Sequence, residues 1–297
     1  MDIIEYAAPS PIQQASIFAL ARRAESHDGV SPLNEDATLA ITHGSGRHLL
    51  ARDCDQLLGY AYASDADSAA QIVVDPVHRR RGTATQLIAH VACHDLWAFG
   101  DGEPARAFCA ARGYTPVRGL LVMELGSTPE KEFGVAAAAS RPKPDSAFRM
   151  TISAFVPLDL EDLVRLNARA FADHPEQGRM TTEDFLERME SKWFDPEGLL
   201  IARDEHGQMI GFHWTKAENG IGEVYVLGVD PDHAGAGVGS RLLQAGLAYL
   251  RSRNVDTIRL WVDDDNHNAQ SLYKKSGFSP IRHDIRYRRA GEIRRVG

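Results

Sequence analysis

The sequence predicts a mixed α/β fold present twice in tandem, each copy a mostly antiparallel sheet with flanking helices. Three observations predict it. A β-rich run, Tyr225 to Val229, passes through Asp230 and Pro231 into alternating glycines, Gly235, Gly237 and Gly239, that open an amphipathic helix. A degraded copy, Ile72 to Val74 followed by Asp75, Pro76 and Gly82, lies 155 residues earlier, the offset that carries Pro76 onto Pro231 and Gly82 onto Gly237. Residues 126–147 are rich in small residues and proline, lack a sustained apolar period, and read as a linker between a first domain, 1–125, and a second, 148–297. So long a period is far above the roughly 20–50 residues of stacked repeats and reads as domain duplication.

The elements follow one order on both sides. Gln14 to Arg23 and Leu158 to Phe171 carry apolar residues at helical spacing. Leu49–Asp53 and Leu57–Tyr62 read as strand, turn, strand, and Leu199–Asp204 with Met209–Trp214 repeat that hairpin. Each half then feeds a strand into the glycine turn and its helix. Another strand follows, such as Thr257 to Val262, then a short helix and a last strand, Val117 to Leu125 or Ile281 to Tyr287. After the glycine helix the second half runs nine residues longer, since Gly113 corresponds to Gly277 at an offset of 164.

Composition narrows the classes. At 297 residues with 43% hydrophobic and 25% charged side chains, the chain is long enough for two ordinary globular domains with cores of their own. Lys plus Arg is 33 against Asp plus Glu 41, a net charge of −8, which argues against a general nucleic-acid binder. The basic run Arg286 to Arg295 is expected to be a solvated terminal strand and its extension. Cys54, Cys93 and Cys109 show no CxxC spacing, so neither a zinc site nor a disulfide framework is expected, as suits a reducing cytoplasm. A basic-then-apolar leader is absent and no apolar run approaches about 20 residues, so a cytoplasmic monomer without membrane or nucleic-acid partners is expected.

A strand entering a helix through glycines leaves unpaired N–H groups aimed at an anion, and a pyrophosphate fits there. Spacing separates the usual owners of such turns. A Walker A loop needs Gly-Lys-Ser/Thr after four free positions, and none is present. A dinucleotide fingerprint needs a third glycine where Ser240 stands. The remaining pattern is Val229-Asp230-Pro231, the glycine turn and helix, then Asn266-x-x-Ala269-x-x-Leu272-Tyr273-x-x-x-Gly277-Phe278. It resembles the GNAT acetyltransferase superfamily, whose members bind acetyl-CoA there.

The resemblance implies two tandem GNAT folds. It implies acetyl-CoA contacts at Leu227, Gly228 and Val229, at Ala234, Gly235, Ala236, Gly237, Val238, Gly239 and Ser240, and at Asn266, His267, Asn268, Ala269, Gln270 and Ser271. Matching first-half contacts are Ile72, Val73, Val74, Arg80, Arg81, Gly82, Thr83, Ala84 and Thr85. One departure stands out: Ala234 and Ala236 replace the customary basic side chains, so the pyrophosphate must rest mainly on backbone amides, while the first half keeps Arg79, Arg80 and Arg81.

Acetyl transfer from a thioester to an amine requires a neutral amine, a polarised carbonyl and a protonated leaving sulfur. By resemblance Glu223 is the general base, through water, acting on an amine whose free pKa is about 7.7–8 if it is an α-amine. Lying four residues before Leu227 on a strand, it is expected on the same sheet face as Leu227. Tyr273 matches the family tyrosine that protonates the departing thiolate, and a backbone N–H near Leu227 to Val229 is the expected oxyanion donor. At offsets of 155 and 164 these two side chains correspond to Ser68 and Cys109, so the first half is expected to bind cofactor or support the pair without catalysing.

The tandem length and the segment Phe171-Ala-Asp-His-Pro-Glu-Gln-Gly178 are similar to the mycothiol synthase family, which acetylates the cysteinyl amine of cysteinyl-glucosaminyl-inositol. That resemblance implies acceptor contacts from Glu176, Lys216 and Glu223, with Glu35 from the first half. Trp261 stands where a substrate-contacting tyrosine is expected, and a sheet-core position is its other reading. Two rivals remain: a tandem acetyltransferase for an aminoglycoside, polyamine or protein N-terminus, and a non-catalytic acetyl-CoA-binding regulator. No metal is expected. Asp263, Asp264 and Asp265 read as turn and cap residues, and His90 and His94, four apart on a helix, lack a third ligand. With no Gly-x-Ser-x-Gly elbow, direct transfer in a ternary complex is expected rather than a covalent acyl-enzyme.

Overall fold

Short apolar runs separated by a polar turn, buried on both faces, form an antiparallel hairpin in each half. The computed structural model describes residues 1–64, 69–91, 93–126, 149–174 and 177–289. All but the first residue of the 126–147 linker, together with Ser68, Glu176 and the end of the basic run, lies outside the described residues. In the first half, β1 (Asp2–Tyr6), α1 (Pro11–Asp28) and α2 (Glu35–His43) precede the hairpin β2 (Arg47–Asp53) and β3 (Gln56–Ala63). Then come β4 (Ala69–Val74), α3 (Thr83–Val91), β5 (Asp95–Ala98), α4 (Glu103–Ala110) and β6 (Tyr114–Leu125). The second half begins with β7 (Met150–Ala154), α5 (Leu160–Ala170) and α6 (Thr182–Met189), followed by the hairpin β8 (Leu199–Asp204) and β9 (Met209–Glu218). It ends with β10 (Ile221–Val229), α7 (Val238–Ser252), β11 (Thr257–Asp263), α8 (His267–Lys275) and β12 (Ser279–Arg289).

Contacts divide the chain into two units, and the division does not follow the midpoint of the sequence. The first unit comprises Met1–Leu121, Asp263–Asp265 and the chain from Arg282; the second comprises Val122–Val262 and Asn266–Ile281. Within the first unit the strand order is β1-β2-β3-β4-β5-β12, so the last strand of the chain completes the first sheet. Ile285 pairs with Ala98 and Arg288 with Asp95 in an antiparallel register. The basic run is a strand to Arg289, as expected, but its first arginine is buried rather than solvated. Arg286 is 8% exposed and grips the buried Asp95 at 2.6 Å, with Arg288 on the other carboxylate edge at 2.8 Å. Those two guanidiniums hold the Asp95 carboxyl below its usual range against the opposing cost of burial. The end of β6 goes the other way: Glu124 accepts a 2.7 Å bond from Arg259 of β11 inside the second unit.

The duplication is legible in packing. Gly59 of β3 is small because a Cβ would meet Thr83 and Leu87 of α3; Gly211 of β9 is small because one would meet Val238 and Leu242 of α7. Both helix pairs are related by the same 155-residue offset. The Asp-Pro turn repeats as well. Asp75 caps its own turn at the Val77 amide and takes Arg23 of α1, while Asp230 caps at Asp232 and takes Arg169 of α5. A carboxylate buried this deeply, 3% exposed in each copy, is held by charge-assisted bonds that anchor the start of the glycine turn to the helix beneath it.

One interlock differs between the copies. Two residues beyond the strand glycine the first unit has Ala61, packed in one cluster with Val91 of α3; the second has His213, opposite Gly246 of α7. A Cβ at Gly246 would lie 2.1 Å from the His213 ring. His213 is fully buried, its Nδ1 paired with the Leu242 carbonyl at 3.0 Å, and burial lowers its pKa from 6.5 to about 4. Between those values the unfolded chain binds a proton that the folded chain refuses, so this contribution is intact above pH 6.5 and lost as pH falls toward 4. Denaturant unfolding at pH 7 and pH 5 is expected to show a loss of about 2 kcal/mol from this group. His213→Leu removes that difference; an unchanged difference in the variant contradicts the assignment.

Candidate active site

Strands β10 and β11 are parallel neighbours for only three registers, Ile221 with Thr257, Gly222 with Ile258 and Glu223 with Arg259. Beyond Glu223 the described β10 is paired only with β9, so one of its backbone edges faces an opening between the two strands. The same parting occurs in the first unit, where β4 and β5 pair at Ala69 with Asp95 and Ala70 with Leu96 and no further.

A β-bulge at Tyr225 sits where the strands part, as the β9 register jumps between Val224 and Val226. One extra residue reverses the alternation beyond it. Gly222 faces Leu250 of α7, which puts Glu223 on the opposite face, whereas Leu227 and Val229 pack with Val238 and Leu242 of α7. Glu223 and Leu227 therefore lie on opposite faces, correcting the expectation of a shared one. Strand period alone gives a shared face at four residues, and the bulge breaks that period.

At the far end of β10 the glycine turn is open to solvent from Ala234 to Gly237. Gly235 and Gly237 hold φ of 81° and 82°, and Gly237 is the N-cap of α7. The first helical bond runs from the Arg241 amide to the Gly237 carbonyl at 3.1 Å, so the amides of Val238, Gly239 and Ser240 precede it and point out of the helix start. Fifteen aligned residues of α7 add a partial positive charge there. This donor set suits a diphosphate without any basic side chain at Ala234 or Ala236. The second cofactor segment arrives at the same place: a Cβ at Gly239 would contact both Val229 of β10 and Leu272 of α8. Asn266 is committed to capping α8 at the Ala269 amide, 3.0 Å, and Gln270 is buried, while His267 and Asn268 are exposed.

Next to Leu272, Tyr273 is 7% exposed and meets Phe278 edge-on at 5.9 Å. Burial pushes its phenol up to about 12, which keeps it protonated at any working pH. On the other face, Glu223 stands opposite Lys216 of β9. An aromatic layer lies beside that pair: Trp193 at 4.9 Å from Tyr225, and Trp214 at 5.5 Å from Tyr225. Trp261 is 41% exposed at the end of β11, which excludes the sheet-core reading. Glu35 is the first residue of α2 in the first unit. Glu176 is outside the described residues, but its flanks are tied down. The Asn167 side chain donates to the Gln177 backbone carbonyl at 2.7 Å and accepts from the Gln177 side-chain amide at 2.9 Å, and the Gln177 backbone amide donates to His174 Nδ1 at 3.0 Å.

Several expectations need revision. Asp264 and Asp265 lie in the expected turn, but Asn266 rather than an aspartate caps α8, and Asp263 and Asp264 bond Arg118 and His283. Helix α3 is described to Val91 and His94 lies in a bend, so His90 and His94 do not share a helix face. No metal-binding group of His, Cys, Asp and Glu occurs among the described residues. In the first unit Arg79 is bound to Asp28 at 2.7 and 2.8 Å, leaving Arg80 and Arg81 exposed at the turn. Arg80 takes φ 64° where the second unit has Gly235, and Cys109 is buried in the core. Sequence reasoning passed over Trp193, Arg188 and Asn167. Only Asn167 carried a signal, a polar residue on the apolar stripe of α5.

A family model described as the Acetyltransferase (GNAT) family matches residues 160–278, the span holding the bulge, glycine turn and α8. A mycothiol acetyltransferase from Clavibacter sepedonicus is 42% identical over 297 residues, covering 97% of this chain and 95% of that protein. The chain belongs to the mycothiol acetyltransferase family. A second such enzyme, from Thermobispora bispora, is 41% identical and covers 94% of this chain and 97% of its own. Two solved structures share the tandem fold at a TM-score of 0.68. One is a GCN5-related N-acetyltransferase from Sphaerobacter thermophilus, 22% identical and covering 97% of this chain and 95% of that one. The other is a tandem GNAT protein from the clavulanic acid biosynthesis pathway, 17% identical with coverage of 96% and 97%. Among the described residues no helix is long and apolar enough to cross a membrane.

Proposed function

We propose that the second unit transfers acetyl from acetyl-CoA to the cysteinyl amine of cysteinyl-glucosaminyl-inositol, giving mycothiol by direct transfer. Full-length likeness to mycothiol acetyltransferases supports the substrate. The observation that carries the chemistry is the parting of β10 from β11 at Glu223, with helix-start amides at one end of the opening and α8, which carries the buried Tyr273, packed against that helix start through Leu272.

Acetyl-CoA supplies an activated acyl group, its diphosphate held by the amides of Val238, Gly239 and Ser240. Glu223 takes a proton from the acceptor ammonium through water. By family resemblance, Lys216, Trp261 and Glu176 contact the acceptor. An amide of the open β10 edge near Leu227 polarises the acyl carbonyl, since preorganised donors stabilise charge that develops only in the transition state. Tyr273 gives its hydrogen bond and proton to the departing sulfur. A phenol at about 12 is a weak acid against a thiol of about 8.5, so its hydrogen bond stabilises the thiolate first and protonation is completed as solvent resupplies the ring. The first unit keeps the turn but has Cys109 in place of the phenol, and it binds or supports without catalysing.

Incubating the protein with acetyl-CoA and each of four amines, the cysteinyl pseudodisaccharide, an aminoglycoside, a polyamine and an N-terminal peptide, while following thioester loss, tests this reading. The expected result is a kcat/KM for the pseudodisaccharide at least about 100-fold above the others, a gap that specific hydrogen bonding to the acceptor can supply. Preference for a simple amine removes the substrate assignment, and no turnover with any amine leaves a non-catalytic acetyl-CoA binder.

A further inference from the structure

We propose that Trp193 is a positioning residue for the acceptor, its indole face holding the Lys216 ammonium beside Glu223. This rests on the acceptor reading of the second unit given above. Lys216 and Glu223 are direct cross-strand partners, so both side chains leave the sheet on one face. A lysine stem is flexible, and on an open strand its charge sweeps a wide arc. Here the side chain is only 16% exposed, with Nζ 4.9 Å from the centre of the Trp193 ring and 6.0 Å from that of Tyr225. Glu218 lies 3.6 Å from the same nitrogen on the strand's outer end. A cation over an indole face within about 6 Å is attracted by the ring quadrupole, more so when partly desolvated.

The indole is itself held. It meets Tyr225 at 61° and Trp214 at 5.9 Å, and Trp214 is fully buried and stacked on Phe185 of α6. Tyr225 is the bulge residue, and its hydroxyl accepts a 3.2 Å bond from Arg188 Nε of α6. The Arg188 guanidinium also donates to the Asp184 carbonyl, 3.0 Å away. Tyr225, two residues along from Glu223, leaves β10 on the face of Glu223 and Lys216, where it buttresses the indole. A rigid ammonium at that place is a fixed donor for a hydroxyl or amide carbonyl of a hydroxyl-rich acceptor.

Steady-state kinetics of W193L, W193F, K216M and the W193L/K216M double variant test the proposal. W193L is expected to raise KM for the pseudodisaccharide roughly two- to thirty-fold, the range of a cation–π contact, with KM for acetyl-CoA unchanged. W193F restores most of the loss, and W193L adds nothing further in the K216M background. An equal loss from W193L with and without Lys216, or a rise in both KM values together, makes Trp193 a packing residue and overturns the proposal. K216M raising acceptor KM while W193L leaves it unchanged overturns this proposal alone; K216M without effect overturns the acceptor role of Lys216 as well.

Discussion

Replacing Glu223 by glutamine is expected to lower kcat with the cysteinyl amine by about 10²–10³-fold at pH 7, the usual worth of a positioned general base, while KM for acetyl-CoA stays within about two-fold. Glutamine keeps the size and hydrogen-bonding reach of the side chain beside Lys216, so the loss isolates proton removal. The pH dependence separates this role from a binding one. An α-amine titrates near 7.7–8, so above about pH 9 the acceptor arrives already neutral and the deficit of the variant shrinks. A deficit that stays constant from pH 7 to 9.5 means that Glu223 does something other than take that proton. Full turnover at pH 7 removes it from the chemistry.

The second large effect is on stability and tests the duplication directly. Gly246→Val alone is expected to cost about 3 kcal/mol or more, because even a methyl group there overlaps the His213 ring. His213→Ala alone empties a fully buried position and costs about 2 kcal/mol, less if the helix settles into the gap. Together the two changes install the first unit's own pair, Ala61 with Val91, both of them fully buried. The double variant is expected to unfold within about 1 kcal/mol of the parent, a favourable coupling of about 4 kcal/mol between touching sites. Urea midpoints of the four proteins measure it. Additive losses in the double variant show that the two copies do not pack alike at this point.

What could be read from the chain was what local chemistry determines. The hairpins at Leu49–Tyr62 and Leu199–Trp214 follow from paired short apolar runs around a polar turn, and the two Asp-Pro-glycine turns follow from residues few other conformations tolerate. The helix start at Val238 was legible for the same reason. Illegible features depend on partners distant in sequence. Arg286 and Asp95 are 191 residues apart, and nothing in a basic terminal run announces that its strand completes the sheet begun at the start of the chain. The bulge at Tyr225 interrupts no pattern, since the burial of β10 alternates straight through it. It changed the faces of Glu223 and Leu227 all the same. The Trp193 layer was equally hidden, because its members come from α6, the loop after it, β9 and β10.

The account depends on Glu223 and Tyr273 working on opposite ends of one acyl transfer in the opening beside β10. A crystal structure with CoA and the pseudodisaccharide bound measures this most directly. It is expected to place the CoA sulfur within about 3.5 Å of the Tyr273 hydroxyl, and the cysteinyl nitrogen within one water of Glu223, the distances proton transfer requires. A sulfur lodged on the other side of β10, or an acceptor nitrogen out of reach of Glu223 through any single water, contradicts it.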